Sequence, residues 1–451
     1  MRLAAMEKSE IISLKNQWCK EYDNFKAQNL KLNMARGKPS PEQLDLSMGI
    51  LDILNSKTDI IGVNGDDYRN YGVMDGIPEA KKIFSKMLGV KEDEIIIGGN
   101  ASLNLMYDII SDSMILGVNG STPWNKLEKV KFLCPVPGYD RHFAICEKFG
   151  IEMINIPTDE NGPDMDMIEK LLSEDASIKG IWCVPQYSNP TGYVFSDDTV
   201  KRFAALKPKA EDFRIFWDNA YCIHHLEENP KILLNIMEEC RKNGNENQVY
   251  IFGSTSKITF SGAGIAAVAS GKKNISELKK NLSIRTIGYD KINQLRHALF
   301  FKSYEGLLEH MKKHMAIVAP KFKAVADILE KELAPLEVGN WTNPKGGYFV
   351  SFDSIPGCAK RIVSLCKDAG VTLTGAGAAF PYGKDPDNKY KNCAYISVCR
   401  GTYICNENFL LKRKNCQCRI FDMKKIAAIV FAAIFLFSFI SVKLFNYFFI
   451  G

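Results

Sequence analysis

The stretch Val249-Tyr250-Ile251-Phe252-Gly253-Ser254-Thr255-Ser256-Lys257 decides the fold, because a short apolar run passes directly into small hydroxylated residues and then a lysine. Working back along the chain, the same pattern recurs at Glu94 to Ile97, Val130 to Cys134, Gly180 to Val184 and Phe213 to Trp217. Each run ends in a polar or Gly/Pro-containing break, and longer amphipathic stretches separate them. Strands alternating with crossover helices predict an α/β lobe with a large, mostly parallel sheet between about residues 90 and 270. Working forward, a helical pattern from Tyr304 to Leu333, an apolar run ending at Phe352 and a helix near Lys360 to Ala369 predict a smaller α+β lobe.

Length and composition agree with two lobes. At 451 residues the chain exceeds the size at which one hydrophobic core stops growing. With 46% hydrophobic and 24% charged residues it reads as folded throughout most of its length. The net charge of +6 is spread out, not gathered into a basic stripe, so no nucleic-acid partner is expected. Cys134, Cys183 and Cys222 fall in or beside strand-like runs, where a buried free thiol is ordinary. The 13 cysteines show no paired spacing suited to zinc, so no metal is expected. No secretory signal is read at the N-terminus, which places the body of the protein in the cytoplasm.

In open α/β sheets, ligands bind beyond the carboxyl ends of the strands. Read together, the strand-end residues form a set. Gly98-Gly99-Asn100-Ala101-Ser102 precedes a helix with Leu103, Met106, Tyr107 and Ile110 expected on one face, which makes an anion cradle of backbone N–H groups and the Ser102 hydroxyl. Asn189-Pro190-Thr191-Gly192 follows the Gly180 run, and Asp218-Asn219-Ala220-Tyr221 follows the Phe213 run. A buried carboxylate and a buried lysine are each costly alone. A pyridinium cofactor answers both: Asp218 would keep its ring nitrogen protonated, and Lys257 would form the Schiff base and move a proton between carbons. Gly375-Ala376-Gly377-Ala378-Ala379 mimics a dinucleotide fingerprint but lacks the βαβ context, so no nucleotide is expected there.

With these motifs, Arg36-Gly37-Lys38-Pro39, Pro137-Gly138-Tyr139-Asp140-Arg141-His142, Ser256-Lys257-Ile258-Thr259-Phe260 and Pro381-Tyr382-Gly383-Lys384-Asp385-Pro386 complete a pattern. The sequence resembles the fold-type-I pyridoxal-phosphate-dependent aminotransferases of class I, in an aspartate-aminotransferase-like bacterial branch, over roughly residues 25 to 395. The resemblance implies pyridoxal 5'-phosphate as cofactor, and an amino acid and a 2-oxo acid as substrates. It implies that Lys257, Asp218 and Tyr221 are catalytic and that Tyr139 stacks on the ring. Asn189 and Tyr221 would bond the phenolic oxygen, and Asn100, Ala101, Ser102 and Ser254 the phosphate. Tyr71 would reach the phosphate of a partner subunit, which implies a homodimer. Gly37, Asn189 and residue 397 would meet the substrate.

The domain reading follows: 1–47 contributing to the small domain, 48–320 the large cofactor domain, 321–400 the small domain and 401–451 a basic then apolar tail. The sequence departs from the family in two places. Ile265 stands eight residues after Lys257, where many relatives carry a phosphate-pairing Arg. Ser397, in Tyr395-Ile396-Ser397-Val398-Cys399-Arg400, stands where relatives place the Arg that clamps the substrate carboxylate, and a neutral hydroxyl cannot make that paired contact. Three readings are therefore weighed: a working aminotransferase with an aspartate-like donor, a cofactor-binding protein with impaired or no turnover, and another reaction of the same cofactor such as a lyase. The apolar run 426–442 is near the short limit for crossing a bilayer, and it is read as a membrane anchor, a helix packed on the body or a frame artefact.

Overall fold

The computed structural model describes residues 6–35, 37–354, 357–384 and 393–397. Its strands are β1 Leu32–Asn33, β2 Ile95–Ile97, β3 Lys131–Val136, β4 Glu152–Asp159, β5 Gly162–Pro163, β6 Ile178–Cys183, β7 Arg214–Asp218, β8 Val249–Ser254 and β9 Ala266–Ala269, followed by β10 Gly339–Trp341, β11 Phe349–Ser354, β12 Val371–Thr372 and β13 Cys393–Ser397. Among the described residues, eight strands form the main sheet in the order β2-β9-β8-β7-β6-β3-β4-β5. Strands β3, β4, β6, β7 and β8 run parallel, β9 is antiparallel to both of its neighbours, and β5 is an antiparallel edge.

The central strands are buried on both faces, which is why they read as near-continuous apolar runs: every residue of β6, β7 and β8 is buried. Two hydrophobic cores follow, one on each side. One face carries Phe132, Trp182, Phe216 and Phe252. The other carries Leu133, Ile181, Ile215, Trp217 and Ile251, the alternation that a pleated strand imposes.

Three of the eight strands, β4, β5 and β9, lie outside the five expected, and β5 is a two-residue edge. Strand β4 carries an exposed, half-buried alternation on the edge side, and β9 is four small residues too weakly patterned to stand out. The helix Ser102–Leu116 also turns a different face inward from the one expected. Leu105, Met106, Ile109 and Ile110 are buried, while Tyr107 lies outward against Phe149 with ring centroids 5.0 Å apart. The helix Tyr304–Ile328 runs on into a π-helical turn at Leu329–Leu333.

A second layer of structure sits over the carboxyl ends of the large sheet. Strand β11 is flanked by β10 and β13, both antiparallel to it, and β1 of the N-terminal segment pairs in parallel with β12. The segment Gly375 to Ala379 forms a turn, and Ala379 O accepts from Gly138 N at 2.8 Å, tying this layer to the loop that carries Tyr139. Cys134 and Cys183 are buried free thiols and Cys222 is a half-buried one. Among the described residues no helix is long and apolar enough to cross a membrane; 426–442, Arg36 and Arg400 lie outside the described residues.

Candidate active site

Because β3, β6, β7 and β8 are parallel, their carboxyl ends lie along one edge, and the loops that follow converge there. The loop after β8 is knitted to its neighbours. Thr255 N donates to Ile265 O at 2.8 Å, Ile265 N to Thr255 Oγ1 at 2.9 Å, and Ser256 Oγ to Asn100 O at 3.0 Å. Ser256 thereby joins the loop carrying Lys257 to the loop that opens the helix Ser102–Leu116. Ile265, at the place of the family's arginine, is buried in the apolar core and supplies no cation.

Asp218 closes β7. It is buried, and its Oδ2 lies 3.1 Å from His142 Nε2. His142 is itself stacked on Trp182, centroids 4.4 Å apart and planes 11° apart, which fixes the ring that faces the carboxylate. The other carboxylate oxygen, Oδ1, is buried and has no hydrogen-bond partner among the described residues. A buried acceptor left open at a strand end is a place for a donor brought by a ligand.

Lys257 sits nearby, with Nζ 4.6 Å from the centre of the Tyr221 ring. Burial pushes its ammonium below the ordinary lysine range, and Asp218 pulls it partly back. The environment therefore shifts the balance toward the free amine, the form that attacks carbonyl carbon. Tyr221 is buried, in edge contact with His224 and tilted against Tyr348.

The helix Ser102–Leu116 starts from Ala101 in extended conformation with no side-chain cap, so its first-turn N–H groups face the loop ends uncapped. Asn100 is exposed, Ala101 and Ser102 are half-buried, and Ser254 is buried at the end of β8. Tyr139 is half-buried at the start of the helix Asp140–Lys148, edge-on to His142 at 5.0 Å. Asn189 is buried, and its Oδ1 is unpartnered among the described residues. Tyr139, His142, Asn189, Thr191 and Trp182 line one hollow. Gly37 packs so closely on Phe349 that an added Cβ would lie 2.5 Å from its ring. The strand register sets Ser397 opposite Phe349, whose ring meets Tyr221 edge-on. Tyr71 is 79% exposed.

The sequence reading gave no role to His142, Trp182, His224 or Tyr348. His142 carried a signal: at three residues beyond Tyr139, at the start of a helix, it shares that side of the helix. His224 and Tyr348 lie far apart in the sequence and had none.

A mostly parallel sheet with a carboxylate closing one central strand and a lysine in the loop after the next defines a transferase of fold type I. The chain matches the aspartate amino-transferase family over residues 6–397. It is 46% identical to a putative aminotransferase of Mycolicibacterium smegmatis over 391 residues, covering 86% of this chain and 91% of that protein. It is also 46% identical to an aspartate aminotransferase of Corynebacterium glutamicum over 371 residues, covering 82% and 85%. The crystal structure of an aspartate transaminase from Corynebacterium glutamicum superposes with a TM-score of 0.90 at 40% identity, covering 98% of this chain and 99% of that one. The chain belongs to the aspartate amino-transferase family and is an aminotransferase. The two other readings, a cofactor binder without turnover and a lyase, are not favoured by these relatives.

Proposed function

We propose that the protein transfers an amino group from an amino acid, with an aspartate-like donor, to a 2-oxo acid, using pyridoxal 5'-phosphate. The observation that supports this reading is Asp218: buried, bonded through one oxygen to a stacked His142, and open at the other. A neutral ligand leaves such a carboxylate uncompensated, whereas a ring N–H satisfies it and is held protonated by it. Asn189 Oδ1 and the uncapped start of the helix Ser102–Leu116 suit the polar substituents and the phosphate of the same molecule.

Pyridoxal phosphate, when bound, supplies an electron sink for negative charge developing on the substrate α-carbon. The protein's share is positioning and proton handling. Lys257 Nζ, whose ammonium burial makes more acidic, would take and return the proton of the substrate carbon. Tyr139 would cover one face of the ring, and Asn189 and Tyr221 would hold its phenolic oxygen. Asn100, Ala101, Ser102 and Ser254 would hold the phosphate. Gly37, Asn189 and Ser397 would meet the substrate carboxylate. Tyr71 would complete the site of a partner subunit, a reading supported by its exposure. A cytoplasmic body, with membrane contact confined to 426–442, belongs to the same proposal.

Single-turnover spectroscopy tests the whole reading. Purified protein is expected to be yellow or to become so on adding pyridoxal phosphate, and to bleach on adding aspartate in preference to neutral amino acids. Protein that stays colourless and takes up no pyridoxal phosphate overturns it.

A further inference from the structure

Beneath Lys257 lies a set of buried polar side chains that the proposed chemistry does not use. The Lys257 carbonyl oxygen accepts from Tyr348 Oη at 3.0 Å and lies 3.3 Å from His224 Nε2. The next carbonyl, Ile258 O, lies 3.0 Å from His310 Nε2 and 3.4 Å from the Ser47 hydroxyl that donates to it. These partners come from four separate parts of the chain, and one residue links two of them, Tyr348 directly and His310 through His314. Gln43, 1% exposed in the short helix Pro41–Asp45, donates from Nε2 to Tyr348 Oη at 3.0 Å and to His314 Nδ1 at 3.1 Å.

The orientation of the Gln43 amide is determined. Its Oε1 accepts from Ser40 N at 3.0 Å in a capping box, so Nε2 must face the interior. The direction of the bonds to Tyr348 and His314 is then set. Tyr348 accepts from Gln43 and donates onward to Lys257 O. His314 accepts at Nδ1, so its neutral ring carries the proton on Nε2, 3.1 Å from His310 Nε2. His310 Nε2 lies between that proton and Ile258 O, and its tautomer selects between accepting from His314 and donating to the carbonyl. Burial pushes His314 and His224 down to about 3 and lowers His310 too, so these rings stay neutral at ordinary pH and their tautomers are what matter.

We propose that Gln43 is a positioning residue for Lys257: through Tyr348 it fixes the peptide carbonyl of the lysine, and through His314 and His310 it orders the contacts on the next one. Side chains 43 and 257 do not touch, so the effect passes through the backbone. A misplacement of about 1 Å at a reacting amine costs on the order of a hundredfold in rate, which gives this second layer leverage. The inference rests on Lys257 being the cofactor lysine.

The test compares Gln43→Leu, Tyr348→Phe and the double variant. Two readouts are used: kcat and KM of holoenzyme, and the pH midpoint for reductive methylation of Lys257 by formaldehyde and cyanoborohydride in cofactor-free full-length protein, located by peptide mapping. The groups facing Lys257 are Asp218, Tyr221, His224 and Tyr348, and Gln43→Leu changes none of their charges. If the lysine backbone is released toward water, the burial that lowers its pKa eases, and the midpoint moves upward. Each single variant is expected to lower kcat about tenfold or more, leave KM nearly unchanged and raise the midpoint. The double variant is expected to do no more than the worse single one, because both remove the same link. Unchanged kcat and midpoint with only a lower Tm, or additive effects, overturn the proposal. Should Gln43→Leu fail to fold, Tyr348→Phe alone decides, by the presence or absence of the shift. The methylation readout needs no cofactor, so it separates this inference from the fate of the pyridoxal phosphate reading.

Discussion

Two buried aspartates stand at opposite ends of β7, and their surroundings differ in one respect. Asp212, just before the strand, is closed on both oxygens: Lys179 Nζ lies 2.6 Å from Oδ1, and Trp124 Nε1 donates to Oδ2 at 2.8 Å. Asp218, at the far end, is bonded to His142 through one oxygen and open at the other. Both are about equally buried, 7% and 4% exposed, so depth does not separate them. Completeness does. A buried charge whose partners are all internal belongs to the fold, whereas one left half-satisfied where parallel strands end is reserved for a ligand.

The largest expected effect removes the group opposite the open aspartate. Lys257→Ala should lower turnover by about ten-thousandfold, the upper end of what a proton-transfer group contributes, while circular dichroism and Tm stay near wild type. A variant that unfolds instead would show that the amine is structural and dissolve the contrast between the two ends.

Next comes the pair itself. Asp218→Asn should cost on the order of a hundredfold to a thousandfold in kcat with little loss of stability, since the open oxygen has no internal partner to lose. Asp212→Asn should do the reverse. It leaves Lys179 buried and unpaired, which costs roughly 3–5 kcal/mol in urea unfolding, while kcat per folded molecule is unchanged. Equal losses of stability in both variants would break the comparison.

The histidines around Lys257 give a pH signature. His224 and His314 are pushed down to about 3 and His297 to about 4, with burial the largest cause, and His310 is lowered for the same reason. On unfolding they return to their ordinary value of 6.5, so below that pH the unfolded chain binds more protons than the folded one. Stability is therefore full above about pH 6.5 and falls steadily toward pH 4. A Tm series should show this slope, and His297→Gln should make it shallower by up to one proton; an unchanged slope would argue against a neutral buried ring.

The smallest effect concerns substrate orientation. Ser397→Arg should raise the rate of half-transamination by aspartate about tenfold, with cofactor affinity unaltered, because it adds a paired charge to a substrate carboxylate and touches nothing beneath the ring. A rate left unchanged, with turnover abolished by Arg400→Ala, would move the clamp three residues along the chain.

Local pattern was enough for the central strands of the large sheet and their carboxyl ends. Strands buried on both faces must be apolar throughout, and a Lys or Asp breaking such a run is conspicuous, so Lys257, Asp218 and the loop from Gly98 to Ser102 were legible from pattern and resemblance. The tertiary structure alone decided which face of the helix Ser102–Leu116 is buried, because the apolar residues there allow two neighbouring stripes and only contact with the sheet selects one. It alone decided that Asp212 is closed and Asp218 open, since Lys179, Trp124 and His142 approach from separate segments. The layer beneath Lys257 was invisible for the same reason. Gln43, Tyr348 and His314 are far apart in sequence, and no local spacing encodes a hydrogen bond that forms only when distant segments pack together.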